Sequence, residues 1–297
     1  MNIQSLVSES QKHAINREEM NQLLLEVRQQ ATTFSNNKEL LRKIFHCIDL
    51  TTLEGADTDK KVQFLCEQAL RIPTLAENLP TVAAVCVYPS LVKTASEALK
   101  NSTISVASVA GGFPAGQTDL AVKTQEVRFA VQQGANEIDT VISRGKLIAG
   151  AYETVYSELK AIQEACGKAH LKVILETGEL QTLENIRLAG DLAIAAGADF
   201  IKTSTGKIGI GATLEATYVM LCSIRDEYQN SNRKIGFKPA GGIHSNEEAI
   251  QYYLLVEKIL GKEWLNSRLF RVGASSLAGK MLATILDEEK YLEFFKE

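Results

Sequence analysis

The chain has 297 residues, 45% of them hydrophobic and 23% charged, with a formal net charge of -4. That length suffices for one large α/β barrel or two ordinary domains with a sizeable core, and the charge balance gives no electrostatic reason to expect nucleic acid or an anionic membrane as partner. Five cysteines (Cys47, Cys66, Cys86, Cys166 and Cys222) are far apart and form no CxxC pair, which argues against a disulfide framework or a zinc cluster and for a reducing, cytoplasmic setting.

At the N-terminus, "MNIQSLVSESQKHAIN" has no apolar signal region and too many acids nearby for a transit peptide. Residues 1–15 are polar and read as loose. Met20, Leu23, Leu24 and Val27 then recur at i, i+3, i+4, i+7, the spacing of an amphipathic helix. Residues 1–40 are therefore expected to be a helical extension packed on a main domain of residues 41–297. No apolar run approaches the ~20 residues that span a bilayer.

From about Ile44 short β-branched segments alternate with helical ones. The strand candidates are residues 44–50, 82–88, 104–110, 137–142, 171–177, 200–205, 235–240 and 269–275. Between the fourth and fifth, Tyr152, Val155, Tyr156, Leu159, Ile162 and Cys166 line one helical face. The last unit is expected to end in a long helix over 276–296. Eight strands alternating with helices favour a (β/α)8 TIM barrel. A doubly wound sheet fits less well, because "DLTTLEGADTDKK" after the first strand holds no GxGxxG.

A barrel carries its active site at the C-terminal ends of its strands. Polar residues within strands are therefore the informative ones. The fourth strand offers Asp139, the fifth Lys172 and Glu176, which share a side because they are four apart, the sixth Lys202 and Ser204, the seventh Lys238. Lysine is almost never fully buried unless paired. Lys172 alone is as well explained by an ion pair with Asp139 as by catalysis, but three lysines on neighbouring strands point to function. A lysine with pKa ~10.4 is neutral about once in 2,500 at pH 7. Burial and a neighbouring cation lower that value and yield an amine able to attack a carbonyl. The pattern suggests Schiff-base chemistry on a small carbonyl compound, with a carboxylate to move protons.

Three loops suggest an anion: "STGK" (204–207), "PAGGI" (239–243) and "GASS" (273–276). Backbone N–H groups at a helix start favour phosphate, and barrels often place phosphate after strands seven and eight. Each loop alone also reads as an ordinary tight turn, but all three at the same end of one barrel make phosphate the better reading. Asp49 ends the first strand, where it either faces the site or caps the next turn. Cys86 reads as a packed thiol. His13, His46 and His170 show no metal-ligand spacing.

Taken together, "IDLTTL", "EIDTVI", "LKVILETGEL", "ADFIKTSTGK", "IGFKPAGGI" and "FRVGASS" resemble the deoxyribose-phosphate aldolase family, class I aldolases, over roughly residues 42–285. "SVAGGFPAGQT" is closer to the eukaryotic-type branch. The resemblance implies a (β/α)8 barrel with no metal and no organic cofactor. It implies reversible cleavage of 2-deoxy-D-ribose 5-phosphate to D-glyceraldehyde 3-phosphate and acetaldehyde. By the same resemblance Lys202 is the Schiff-base lysine and Lys238 perturbs its pKa. Asp139 moves protons, supported by Lys172. The substrate and phosphate contacts fall to Asp49, Thr205, Gly206, Lys207, Gly241, Gly242, Gly273, Ser275 and Ser276. The expected partner is a small phosphosugar, and a homo-oligomer is left open.

Two departures stand out. Many relatives have arginine after "GGI", whereas this chain has His244, which offers a phosphate less charge near pH 7. Some relatives place a terminal tyrosine near the site, but Tyr291 is not terminal here. Other Schiff-base barrels, such as a transaldolase or an aldolase for a different phosphosugar, share the lysine pattern. A phosphosugar-binding barrel without turnover would not require it.

Overall fold

The computed structural model describes residues 2–296. Eight parallel strands form the sheet: β1 (Ile48–Thr51), β2 (Ala84–Val87), β3 (Ser105–Ala110), β4 (Glu137–Val141), β5 (His170–Ile174), β6 (Phe200–Lys202), β7 (Gly236–Lys238) and β8 (Val272–Ala274). Their order is β7-β6-β5-β4-β3-β2-β1-β8. Parallel bridges Phe237↔Phe270 and Ala240↔Gly273 join the two ends, so the sheet closes into the expected (β/α)8 barrel.

The helices are α1 (Ile3–Lys12), α2 (Arg17–Phe34), α3 (Lys38–Phe45), α4 (Asp59–Arg71), α5 (Val92–Ala98), α6 (Leu120–Gln132), α7 (Arg144–Ile148), α8 (Tyr152–Cys166), α9 (Leu183–Ala195), α10 (Leu214–Ser231), α11 (Asn246–Leu260) and α12 (Ser276–Leu286). Those that follow β1, β5, β6 and β7 start at Thr58, Thr182, Thr213 and Ser245. Each of these side chains accepts a backbone N–H of the first turn. The caps fix where each mouth loop ends.

The N-terminal segment differs from the loose stretch expected over 1–15. Asn2 caps α1, and Ile3 is buried with Leu6 and Val7 packed beside it. The short apolar spacing Ile3, Leu6, Val7 was masked by polar neighbours. α1 lies against α8 and α9, and α2 against α10 and α11. The strand expected at 44–50 begins only at Ile48. Leu41, Ile44 and Phe45 share the buried face of α3, which Asn37 caps, so residue 40 falls inside a helix. At the other end, the long helix expected over 276–296 stops at Leu286. Asp287 takes a left-handed conformation (φ 58), and a 3-10 turn at Glu289–Glu293 folds back beside α12.

The barrel interior has two unlike parts. Ala84, Cys86, Ala107 and Val109 of β2 and β3 form a small apolar cluster with Leu53, flanked by Tyr88 and Phe113. The remaining strands carry buried charge.

Candidate active site

Strand alternation sends residues two apart to the same side. Glu137 and Asp139 of β4, Lys172 of β5, Lys202 of β6, Lys238 of β7, Arg271 beside β8 and Asp49 of β1 are all buried and meet inside the barrel. Asp139 is the hub. Its Oδ1 accepts Lys172 Nζ at 2.8 Å; its Oδ2 accepts Lys202 Nζ at 2.7 Å and Lys238 Nζ at 2.8 Å. Lys172 Nζ also meets Glu137 Oε2 at 2.5 Å, and Lys238 Nζ donates to Asp49 Oδ2 at 2.5 Å. Arg271 donates to Asp49 Oδ1 at 2.6 Å and to both Glu137 oxygens at 3.0 and 2.7 Å. The register explains the meeting: Asp139 pairs with Lys172 and Lys202 with Lys238.

Burial disfavours every charge here, so the pairings decide. Burial would raise the Asp139 carboxyl, but Lys172, Lys202 and Lys238 together hold it well below the usual carboxylate range. Asp49 and Glu137 are lowered for the same kind of reason, by Lys238 and Arg271 and by Lys172 and Arg271 respectively. Burial opposes the charge of Lys172 and Lys238, yet Asp139 with Glu137, and Asp139 with Asp49, outweigh it and raise both lysines. Lys202 goes the other way. Burial and the adjacent Lys238 outweigh Asp139 and lower its pKa. Burial pushes the Cys86 thiol up to about 11.

Above this cluster lies a cavity of about 440 Å³. Of the three clustered lysines only Lys202 lines it. Its rim holds Thr205, Gly206 and Lys207, then Gly241 and Gly242, then Gly273, Ser275 and Ser276. Gly206, Gly241 and Gly242 all take left-handed conformations (φ 77, 81 and 78), and α12 points its N-terminus at the rim from Ser276. Left-handed glycine turns and a helix N-terminus are backbone features that suit an anion. Gly211 packs directly on the second turn: a Cβ there would stand 2.2 Å from Gly241 O.

Glu176 braces the first turn. It sits beyond the end of β5 in a left-handed conformation (φ 56), fully buried. Its Oε1 accepts Thr205 N–H at 3.1 Å and its Oε2 accepts the Thr205 hydroxyl at 2.5 Å. Arg144 donates to the same carboxylate at 3.0 Å. The Thr205 oxygen in turn accepts Lys207 N–H at 3.1 Å. Thr205 therefore spends its own donors on the loop.

The DeoC/LacD aldolase family profile matches residues 43–276. The chain belongs to the DeoC/LacD family of aldolases.

Its activity is accordingly that of an aldolase, a carbon–carbon lyase. It is 49% identical over 247 residues to the deoxyribose-phosphate aldolase of Homo sapiens, covering 80% of this chain and 78% of that one. It is 50% identical over 248 residues to the deoxyribose-phosphate aldolase of Mus musculus, with the same coverage of 80% and 78%. Among solved structures, the tetrameric deoxyribose phosphate aldolase of Aeropyrum pernix is similar with a TM-score of 0.66 and 26% identity, over 88% of this chain and 97% of that one.

In this aldolase the four residues expected to do chemistry, Lys202, Asp139, Lys238 and Lys172, converge. The loop residues expected to hold phosphate share one rim. Asp49 stands apart from that expectation: it is fully buried beneath the cavity as the counter-ion of Lys238 and Arg271. Glu176 does not join Lys172, because β5 ends at Ile174 and strand alternation stops there. His244 lines the cavity. Tyr291 does not line it; it is buried against Phe294, and Leu292, Phe295 and Lys296 of the same tail reach the rim instead. Glu137 and Arg271 were missed by sequence reasoning, although each stands two residues before a singled-out position, Asp139 and Gly273. No helix among the described residues is long and apolar enough to cross a membrane.

Proposed function

We propose that this aldolase reversibly cleaves 2-deoxy-D-ribose 5-phosphate to D-glyceraldehyde 3-phosphate and acetaldehyde, with Lys202 as the Schiff-base nucleophile. One observation carries the reading. Lys202 is the clustered lysine that borders the cavity, and it is the one whose surroundings lower its pKa. The neutral Nζ attacks the aldehyde carbon of the open-chain sugar, and the carbinolamine loses water to give an iminium. Removal of the 3-hydroxyl proton lets the C2–C3 electron pair move into the iminium. The C2–C3 bond breaks, D-glyceraldehyde 3-phosphate leaves, and an enamine remains on Lys202. Protonation of that enamine and hydrolysis release acetaldehyde and restore the amine.

Asp139, kept as a carboxylate by three cations, suits the proton transfers, directly or through water. Lys172 holds its other oxygen and fixes its orientation. The Gly206, Gly241–Gly242 and Ser275–Ser276 turns suit the 5-phosphate, with Lys207 beside them. Lys207 also pairs with Glu54 at 3.1 Å, a contact that a phosphate would compete for. The five cysteines are buried and unpaired, which fits a cytoplasmic setting.

Reductive trapping tests the chemistry. Acetaldehyde with borohydride should leave an ethyl group on the peptide carrying Lys202, and Lys202→Ala should abolish both the adduct and cleavage while the chain stays folded. An adduct on a different lysine, or near-normal turnover in Lys202→Ala, would reject the assignment.

A further inference from the structure

We infer that Arg271 is a positioning residue for the proposed reaction: it is the fourth cation of the barrel interior, and it makes that interior neutral only when Lys202 carries no proton. The inference rests on the Schiff-base reading above.

The charged groups that face Lys202 can be taken strand by strand. β1 gives Asp49, β4 gives Glu137 and Asp139, β5 gives Lys172, β7 gives Lys238 and the β8 end gives Arg271. β2 gives Cys86, which burial keeps as a thiol, and the buried cluster from β3 is Ala107 and Val109. At the cavity wall, Lys61 pairs with Asp57, Lys207 with Glu54 and Lys296 with Glu293, and His244 stands on the loop after β7; beyond β5, Glu176 pairs with Arg144. The interior thus holds three carboxylates against three cations other than Lys202. A net charge in a low-dielectric interior is costly. The group that loses its charge is the one with the poorest claim on a counter-ion.

The contacts identify that group. Lys172 reaches Asp139 and Glu137 and, at 3.8 Å, Asp49; Lys238 reaches Asp49 and Asp139. Arg271 reaches Asp49 and Glu137, keeps its proton at any working pH, and packs on the Phe200 ring at 5.8 Å. Lys202 has only Asp139 Oδ2, an oxygen that Lys238 already shares. Arg271 makes no bond to Lys202 or Asp139 here. It acts by occupying Asp49 and Glu137, leaving no spare carboxylate to hold a Lys202 ammonium.

The sign of the effect can be inverted by substitution. Arg271→Met leaves three carboxylates facing two cations, so Lys202 should keep its proton. The acid limb of the kcat/KM–pH profile should then move up by about one pH unit. Glu137→Gln leaves two carboxylates facing three cations and should move the limb down. The double variant Arg271→Met/Glu137→Gln restores equality at two and two and should return the limb close to its original place. Cyanoborohydride trapping of acetaldehyde at Lys202, followed across pH by peptide mass, gives the same readout without turnover. Shifts of the same sign in the two single variants, or a double variant that does not return, would overturn the inference. If Arg271→Met fails to fold, the downward shift in Glu137→Gln and the double variant still decide it. No adduct at Lys202 in the unmodified protein would instead sink the Schiff-base reading, and this inference with it.

Discussion

Replacing Lys238 with leucine is the sharpest test of how Lys202 is kept reactive. Both amines donate to the same oxygen of Asp139, at 2.7 and 2.8 Å, so the two nitrogens are no further apart than the total of those distances, about 5.5 Å. At ~5 Å and an effective dielectric constant of ~20, two unit positive charges repel by about 3 kcal/mol. Removing that repulsion stabilises the ammonium form of Lys202 and should raise its pKa by about two units. The fold should survive, because Asp49 keeps Arg271 and Asp139 keeps Lys172 and Lys202. In Lys238→Leu the acid limb of the kcat/KM–pH profile should therefore move up by about two pH units. Activity at neutral pH should fall roughly a hundredfold and recover substantially as the pH is raised. Loss of activity with an unmoved limb would refute the argument, because Lys238 would then be serving some purpose other than setting the charge of its neighbour.

Glu176→Gln removes a carboxylate that holds both donors of Thr205 and pairs with Arg144. It should cost about 1–3 kcal/mol of local stability and raise KM for the phosphorylated sugar about tenfold more than it lowers kcat; steady-state kinetics would show the split. Gly211→Ala would drive a Cβ into Gly241 O and displace the Ala212 N–H bond to that oxygen. Inorganic phosphate should then compete less well with substrate, which inhibition assays would measure. Asp49, Glu137 and Asp139 all have lowered pKa values in the fold. Their contribution to stability is present above the unfolded carboxylate range of ~4 and is lost as pH falls through the folded values. The thermal midpoint should hold near neutral pH and drop steadily below about pH 4; a flat profile down to pH 3 would contradict the pairing.

Much of the site could be read from the sequence because a strand has a period of two. Asp139, Lys172, Lys202 and Lys238 stand in short apolar runs where a charge has no business unless it is paired or used. The same period would have picked out Glu137 and Arg271 had it been followed to the strand bases. It failed at Glu176 for a physical reason. The backbone turns left-handed there, and alternation has no meaning beyond Ile174. The end of the helix over 38–45 and the strand from Ile48 run together in the largely apolar residues 44–50, and only the Leu41, Ile44, Phe45 spacing separates them. The break at Asp287 was hidden because aspartate, unlike glycine, does not announce a left-handed residue. The role of Thr205 was equally hidden, since its donors are consumed by a residue 29 positions earlier.

The interior is apolar along β2 and β3 and ionic along the strands on either side of them and opposite them. The cavity above is walled instead by Leu53, Ile243, Leu292 and Phe295, so tuning of the reactive amine and shaping of the space it faces are encoded on separate stretches of the chain. Exchanging Leu53 or Phe295 for a residue of another size would reshape the space without adding or removing a charge. An altered repertoire of aldehydes could be selected at those wall positions while the machinery that activates the nucleophile is passed on intact.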